Sequence, residues 1–193
     1  MPDKQLWILA GANGAGKTTF YQQFLKQTGM PFVNADLLAK QLDSEHPEKV
    51  SYDAAILISR LRTELLKNEK TFCYETVFSH PSKIDFVAQA KAQHYEIILV
   101  YIHLQTAELN QARVAQRVSQ GGHNVPADKI ISRIPRTMKN IQATLPLADV
   151  VRIYDNSYHD TPYRAVAEIT KGKYQQRITE LPAWANEILM DYI

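Results

Sequence analysis

The sequence contains a single cysteine, Cys73, among its 193 residues. One cysteine cannot form an internal disulfide, and it excludes a zinc site built from several cysteines. Because Cys73 lies within an apolar run, we interpret it as a small buried residue of the core. A chain of this length can build one sizeable core, so we expect a single domain covering residues 1–193.

Long apolar runs and an excess of one charge are also missing. No run reaches the length of a membrane span, and the N-terminus lacks the pattern of a signal peptide, so we expect a cytoplasmic protein without a membrane partner. The net charge is only +2, with both signs interspersed along the chain. This balance disfavours nucleic acid as a partner.

Glycine is scarce too, yet three of the seven glycines lie between positions 11 and 16. Residues 11–18 are Gly-Ala-Asn-Gly-Ala-Gly-Lys-Thr, which matches the phosphate-binding loop pattern G-x-x-x-x-G-K-[ST]. A short apolar strand at 6–10 precedes the loop and a helix at 19–25 follows it. The alternative, a glycine-rich turn before an ordinary helix, does not explain why strand, glycines, Lys-Thr pair and helix occur together.

Each residue type in this loop has a physical role. Glycines let the backbone approach a phosphate chain closely and point successive N–H groups at it. Lys17 would carry its charge to the β- and γ-phosphates, and the Thr18 hydroxyl would bind Mg²⁺. The predicted cofactor-binding residues are Gly11, Ala12, Asn13, Gly14, Ala15, Gly16, Lys17, Thr18 and Thr19, with Thr18 as the metal ligand.

Two carboxylates lie at the predicted strands that follow. A second strand, at 32–36, ends in Asp36. Ligands of α/β proteins bind outside the carboxyl ends of strands, so Asp36 is placed to meet a substrate, although it could equally be the N-cap of the next helix. Glu75 interrupts a β-rich run at 71–78. A central parallel strand offers no water to a carboxylate, so we interpret Glu75 as facing a site rather than as a solvated edge residue.

Helices are predicted between these strands and after them. A long helix before the third strand has an apolar stripe formed by Ile56, Ile58, Leu61, Leu65 and Leu66. Further along, Arg113 and Arg117 share one face of a helix at 106–120, and Arg133 and Arg136 lie on the helix after Gly121-Gly122 and Pro126. Such a pair predicts a lid over phosphates, at about 106–145, and the alternative is a helical hairpin with solvated arginines.

The last core strand is predicted at 149–157, where Asp155 and Asn156 lie beside a nucleotide base or simply form a turn. A short hairpin and a helix follow at about 158–193, and we interpret this extension as structural. The pattern predicts a three-layer α/β sandwich of the P-loop kinase kind, with a five-stranded, mainly parallel sheet, a helical lid and the C-terminal hairpin and helix.

Five motifs in this order resemble the zeta toxin family, specifically its short zeta-like P-loop kinases. They are residues 11–19, Asn34-Ala35-Asp36, Tyr74-Glu75-Thr76, residues 117–123 and Tyr154-Asp155-Asn156-Ser157. The resemblance covers Leu6 to about Ser157. It implies ATP and Mg²⁺ as cofactors, transfer of the γ-phosphate to a small-molecule hydroxyl such as that of UDP-N-acetylglucosamine or another nucleotide sugar, and an antitoxin as a protein partner.

The resemblance also assigns roles to individual residues. It makes Asp36 the base that activates the acceptor hydroxyl, Glu75 a contact of the acceptor or of a metal-bound water, and Arg117 a clamp on the phosphates. The second lid residue stays open between Arg133, Arg136 and His123. The implied residues are Asp36, Lys17, Arg117 and Arg133 for catalysis, and Asp36, Glu75, Thr76, His123 and Arg136 for substrate binding.

Two other functions fit the same sequence. The chain could phosphorylate a different acceptor, such as a nucleotide, nucleoside, antibiotic or sugar, because no residue separates these. It could also be an ATP-binding module or an ATPase that is regulated by a protein partner such as an antitoxin, without small-molecule kinase activity.

Overall fold

The computed structural model describes residues 4–122 and 124–193. His123, one of the candidate lid residues, lies outside the described residues. The strands are β1 (Gln5–Ala10), β2 (Phe32–Val33), β3 (Phe72–Thr76), β4 (Glu96–His103), β5 (Val150–Asp155), β6 (Arg164–Thr170) and β7 (Lys173–Gln176). The helices are α1 (Lys17–Phe20), α2 (Ala35–Leu42), α3 (Ser51–Lys67), α4 (Ser82–Ala92), α5 (Ala107–Ser119), α6 (Ala127–Thr144) and α7 (Ala183–Leu189). The chain continues from α1 through a π-helical turn and a 3₁₀ turn to Thr28.

All seven strands belong to one sheet, in the order β2-β3-β1-β4-β5-β6-β7. The pairs among β1 to β5 are parallel, whereas β5–β6 and β6–β7 are antiparallel. The predicted α/β class with a mainly parallel sheet is therefore confirmed. β1 lies between β3 and β4 at the centre, so the loop that follows it opens at the carboxyl edge of the sheet, where α/β proteins bind ligands.

The predicted count of five strands is wrong, because the C-terminal hairpin joins the sheet. β6 pairs with β5 along its whole length, with Ile169 opposite Val151. Val166 and Ile169 are fully buried, so the hairpin covers an edge of β5 that would otherwise be exposed. The sequence predicted the hairpin itself correctly, but its pairing partner is a tertiary contact.

Helices cover both faces of the sheet. Leu6 and Ile8 point into the larger of two apolar clusters, which α3, α4, α6 and α7 complete, and Leu9 points into the second, which includes Phe20 after the loop. Burial on both faces explains why the central strands are continuously apolar. None of the helices in residues 4–122 and 124–193 is long and apolar enough to cross a bilayer.

The apolar stripe predicted for α3 is only partly right. Ile58 and Leu66 are buried, but Ile56 and Leu61 are exposed. The buried line of the helix is Ala54, Ile58, Arg62 and Leu66, at a spacing of four residues. The arginine occupies the core-facing position that the apolar pattern had assigned to its neighbour Leu61.

Candidate functional site

The phosphate-binding loop connects β1 to α1 and has a backbone that requires glycine at three packed positions, Gly11, Gly14 and Gly16. Gly14 and Gly16 adopt φ of 80° and 99°, which side-chain-bearing residues rarely adopt. A Cβ on Gly14 would lie 2.7 Å from the Asn110 carbonyl oxygen, and one on Gly16 would lie 2.6 Å from Nδ2 of Asn156. The loop is thus packed closely against Asn110 and Asn156, and a side chain at Gly14 or Gly16 would clash with them.

Three side chains from distant segments fix this loop through its carbonyl oxygens. Nδ2 of Asn110, at the inner face of α5, donates to the Asn13 oxygen at 2.7 Å. Nδ2 of Asn156 donates to the Ala15 oxygen, and the Tyr163 hydroxyl donates to the Gly16 oxygen, both at 2.9 Å. These bonds hold the loop in place through the carbonyl oxygens of Asn13, Ala15 and Gly16.

Sequence reasoning did not find Asn110 or Tyr163. Neither belongs to a local motif, and their bonds span 97 and 147 residues of chain, so no spacing rule detects them. Tyr163 belongs to the extension that was interpreted as structural, and it contacts the loop directly. Both polar atoms of the Asn156 side chain are hydrogen-bonded within the protein. Nδ2 donates to the Ala15 oxygen, and Oδ1 accepts from the Tyr163 N–H.

Lys17 is buried at the centre of the site. Its Nζ donates to the Gly11 oxygen at 2.9 Å and to the Ala12 oxygen at 3.0 Å. Burial lowers the pKa of Lys17 below 10.5, although the negative charges of Glu75 and Asp36 oppose that shift. The ammonium group is therefore desolvated and held by dipoles, which strengthens its attraction for an incoming anion.

Glu75, at the carboxyl end of β3, reaches across to the loop. Its Oε2 accepts hydrogen bonds from the Thr18 hydroxyl at 2.8 Å and from Nδ2 of Asn34 at 2.7 Å. Burial raises the pKa of Glu75, while the Lys17 charge and these hydrogen bonds act against the rise. A carboxylate is thus held in a fixed orientation beside a charged lysine.

The oxygen pair of Thr18 and Glu75 fits Mg²⁺. This ion prefers oxygen ligands and is bound by one or two carboxylates together with substrate phosphates. Among the residues that the structure describes, no three His, Cys, Asp or Glu side chains converge on one point. Thr18 and Glu75 are therefore the residues that would hold the ion, with the phosphates of a nucleotide completing its coordination.

The raised pKa of Glu75 makes a prediction about stability. Burial disfavours the ionised carboxylate in the folded state. The contribution of Glu75 to the free energy of unfolding is therefore greatest below pH 4.5, the ordinary pKa of the group, and it is lost as the pH rises through the higher pKa of the folded state. Glu75→Gln removes that cost and can keep the two short hydrogen bonds to its oxygen. We therefore expect the thermal midpoint of Glu75→Gln at pH 7 to lie above that of the wild type.

Thermal unfolding between pH 4 and pH 8 checks this prediction. The gain of Glu75→Gln should shrink as the pH falls through 4.5, because the wild-type side chain then becomes protonated in the unfolded state as well as in the folded state. Glu45→Gln, on an exposed loop residue, is the control and should show no such gain. A lower midpoint of Glu75→Gln at pH 7 would contradict the argument.

Two cavities flank the loop. The first measures about 410 Å³ and lies between the loop, the start of α2, α3, the end of β3 and helices α5 and α6. The second measures about 650 Å³ and lies between the loop, α5 and the segment that precedes β6. The residues that line both are Gly14, Lys17, Glu75 and Arg117.

The structure brings most of the predicted site residues to these cavities. Asp36, Thr76 and Arg133 line the first cavity, and Thr18 and Thr19 line the second. Nη1 of Arg133 donates to Oδ1 of Asn13 at 3.3 Å, which directs the guanidinium towards the loop.

Arg136 is not brought to either cavity. Its Nε donates to the Ser132 oxygen of its own helix at 2.9 Å, and the side chain is exposed. Arg113 lines the second cavity, but its Nη2 donates to the Asn156 oxygen at 2.8 Å. Among the arginines of α6, the one directed at the loop is therefore Arg133.

Asp36 lies in the first turn of α2, and the predicted second strand is shorter than expected. β2 ends at Val33, and the side chain of Asn34 accepts a hydrogen bond from the Leu37 N–H at 3.1 Å. Asn34 is therefore the N-cap, and the N-cap interpretation of Asp36 is wrong. The Asp36 carboxylate is free of that role and is exposed at the wall of the first cavity.

Comparison with known sequences gives a family and one relative. The model of a family described as AAA domain matches residues 6–137, which include the loop, Asp36, Glu75, Arg117 and Arg133. An uncharacterized protein from Haemophilus influenzae is 29% identical over 135 residues, which cover 66% of this chain and 96% of that protein.

Solved structures share the fold at low sequence identity. The AvrRxo1-ORF1:-ORF2 complex with ATP contains a chain that matches with a TM-score of 0.72 at 18% identity over 90% of this chain. This chain spans 60% of the length of that matched chain. A structure of the PezAT chromosomal toxin-antitoxin system of Streptococcus pneumoniae matches with a TM-score of 0.62 at 18% identity, over 97% of this chain and 83% of the other. A putative kinase from Chloroflexus aurantiacus matches with a TM-score of 0.61 at 15% identity, over 82% and 91% of the two chains. The fold is therefore P-loop kinase-like.

Proposed function

Because the chain belongs to the AAA domain family, we propose that it is an ATP-dependent phosphotransferase that moves the γ-phosphate of ATP to a hydroxyl group of a small molecule. The observation that carries this proposal is the meeting of two cavities at Lys17, Glu75 and Arg117. Phosphoryl transfer needs a donor and an acceptor on opposite sides of the transferred group. An ATPase that hydrolyses ATP with water has no use for the first cavity.

The two cavities have the size of small-molecule sites, which typically measure roughly 300–1,000 Å³. The second one adjoins Gly16 and Thr18 and suits the nucleotide, whereas the first adjoins Asp36 and suits the acceptor. The resemblance to zeta toxins favours UDP-N-acetylglucosamine or another nucleotide sugar as the acceptor. The TM-score with the PezAT structure supports the fold that this resemblance implies.

The residues around the junction supply positive charge where negative charge develops. The transition state spreads charge over the transferred oxygens, and Lys17, Arg117 and Arg133 surround the place where those oxygens would lie. Thr18 and Glu75 would hold Mg²⁺ here, and the ion would neutralise part of the negative charge of the phosphates. The loop amides hold the phosphate chain in line with the acceptor.

Asp36 is the group that we assign to take the acceptor proton. As the hydroxyl oxygen forms its bond to the γ-phosphorus, the bond from that phosphorus to the β-phosphate oxygen breaks, and the proton passes to the Asp36 carboxylate. Glu75 is less suited to this step, because Thr18 and Asn34 already donate to its carboxylate. The exposed Asp36 carboxylate can reach an acceptor in the first cavity.

We assign α5 and α6 as the lid. Val114 on α5 packs against Val125 and Ile130 in a small apolar cluster that is separate from the two clusters on the sheet. The facing parts of α5 and α6 that share this cluster can close over a bound nucleotide, while Met138 and Ile141 keep the later part of α6 in the larger core cluster. Closure would bring Arg117 and Arg133 onto the phosphates together.

The lid assignment predicts different effects for two arginines of α6. Arg133→Ala should lower kcat by about a thousandfold, the effect typical of an arginine that stabilises phosphoryl transfer. Arg136→Ala should leave kcat unchanged, because its side chain is exposed and bound to its own helix. Steady-state kinetics with both variants check this. Equal losses in the two would show that α6 acts through its overall charge and not through Arg133.

An acceptor panel tests the proposed function. The purified protein is incubated with ATP and Mg²⁺ and with UDP-sugars, sugar phosphates, nucleotides or nucleosides, and mass spectrometry identifies an acceptor that is one phosphate heavier. Transfer to UDP-N-acetylglucosamine supports the zeta-like activity, and transfer to another acceptor supports the reaction with a different substrate. Absence of transfer to every acceptor while ATP still binds refutes the kinase proposal.

An ATP-binding module that acts through a protein partner is the second candidate. Several large apolar side chains are exposed on α2 and α3: Leu37, Leu42, Tyr52, Leu57 and Leu61. Exposed apolar groups of this kind are typical of protein interfaces. Under this alternative the partner is an antitoxin, as in the PezAT system, and the acceptor panel shows ATP binding without transfer.

A further inference from the structure

We infer that the acceptor carries an anionic phosphate group, and that Arg62 holds this group at the end of the first cavity. The inference rests on the proposed function, since it concerns the acceptor of that same site. It begins from the arginine in the buried line of α3. No motif in the sequence and no feature of the phosphate-binding loop accounts for a charge there.

Arg62 is a buried cation without a counter-ion. Its side chain is only 9% exposed, and its Nε has no hydrogen-bond partner. Nη1 donates to the Tyr74 hydroxyl at 3.0 Å, and Nη2 makes only a long bond of 3.4 Å to Oγ of Ser59. In the part of the chain that the structure describes, no carboxylate forms an ion pair with Arg62. The Phe86 ring, 4.3 Å from the guanidinium, offsets part of the cost of burying this charge, and an opposite charge would offset the rest.

The nucleotide cannot supply that opposite charge. The first cavity is lined by six cationic side chains, Lys17, Arg62, Lys83, Arg117, Lys129 and Arg133, against the carboxylates of Asp36 and Glu75. Lys17 and Arg117 also line the second cavity, where we place the nucleotide, but Arg62 and Lys83 do not. The positive charges of Arg62 and Lys83 therefore lie where an acceptor, and not the nucleotide, would bind.

The surroundings of Tyr74 favour a charged anchor over a stacked base. The Arg62 guanidinium lies 5.1 Å from the centre of the Tyr74 ring, and the Lys83 ammonium lies 5.8 Å from it. Phe86 packs edge-on against the same ring at 6.0 Å. Because these groups surround the ring, it does not offer a free face to a nucleobase. An acceptor that presents its hydroxyl to Asp36 would be held at its other end by a phosphate, either a sugar phosphate or the diphosphate of a nucleotide sugar.

Binding experiments on the full chain test the inference without requiring turnover. The protein is saturated with a non-hydrolysable ATP analogue and Mg²⁺, so that the phosphate-binding loop is occupied. Calorimetric titrations then compare neutral and phosphorylated probes: N-acetylglucosamine with its 1-phosphate and with UDP-N-acetylglucosamine, glucose with glucose 6-phosphate, and ribose with ribose 5-phosphate. We expect binding of at least one phosphorylated probe and not of its neutral partner. Tighter binding of the sugar phosphate would show that Arg62 holds a phosphate monoester, whereas tighter binding of the UDP-sugar would show that it holds the diphosphate of a nucleotide sugar.

Arg60 provides a matched control for Arg62, because it is an exposed arginine on the same helix. Arg62→Gln should weaken binding of the phosphorylated probe by about tenfold or more, as expected for loss of a charge-assisted hydrogen bond. Arg60→Gln should bind like the wild type, and Arg62→Lys should restore part of the loss. Lys83→Gln, at a half-buried position, gives a second measurement if Arg62→Gln does not fold, and should also weaken binding.

The outcomes separate the inference from the proposed function. If some acceptor is phosphorylated but Arg62→Gln binds it as tightly as the wild type, the kinase proposal stands and the inference fails. The inference also fails if no phosphorylated probe binds to the analogue-saturated protein, or if the neutral probes bind equally well. If phosphorylated probes bind through Arg62 but none is phosphorylated, the site is real and the kinase proposal fails.

Discussion

Lys17→Ala is expected to abolish phosphoryl transfer, with kcat/KM reduced by at least about a thousandfold, because it removes preorganised charge from the junction of the two cavities. The ammonium group of Lys17 is already positioned by the Gly11 and Ala12 oxygens. It need not be reorganised when charge develops on the transferred phosphate. Lys17 lines both cavities, the proposed donor site and the proposed acceptor site, so we expect the loss for every acceptor in the panel.

Calorimetry with ATP and single-turnover kinetics measure the two effects of this change. Lys17→Ala should weaken ATP binding as well as transfer, whereas Lys26→Ala, an exposed lysine beyond α1, should alter neither. Because burial disfavours the charged form of Lys17, its removal should not lower the thermal midpoint of the ATP-free protein by itself. Transfer by Lys17→Ala at the wild-type rate would overturn the assignment of the donor site.

The sequence predicted those parts of the candidate site that are determined by residues close together in the chain. The phosphate-binding loop follows from glycines, a lysine and a threonine within eight positions, between an apolar strand and a helix. Glu75 attracted attention because a carboxylate in a central parallel strand has no water. The structure places it against Thr18 and Asn34, as that argument requires.

The parts that the sequence did not predict depend on contacts between distant segments. Asn110 and Tyr163 orient the loop from far along the chain, and neither has a local pattern. The strand count was wrong because a hairpin is a local feature but its pairing with β5 is not. Arg62 was overlooked because the periodic pattern of α3 was counted from apolar residues alone, and a buried arginine is invisible to that count.

The structure separates the two interpretations of Asp36 that the sequence left open. The sequence could not separate an N-cap from a site residue, since aspartate is common in both places. The Asn34 side chain caps α2, and this leaves the Asp36 carboxylate at the wall of the first cavity. A substitution at Asp36 therefore tests chemistry without removing the cap of the helix.

Asp36→Asn is expected to lower kcat by about 10²–10⁴, the contribution typical of a positioned general base. Asparagine has nearly the same shape but cannot accept the acceptor proton, so binding of ATP and of the acceptor should change little. This pattern differs from that of Lys17→Ala, in which ATP binding also weakens. Asp53→Asn, an exposed position in the first turn of α3 and outside both cavities, is the matched control and should retain full activity. If Asp36→Asn transfers phosphate to the true acceptor as fast as the wild type, Asp36 is not the base. The proton would then have to leave by another route, such as the carboxylate of Glu75.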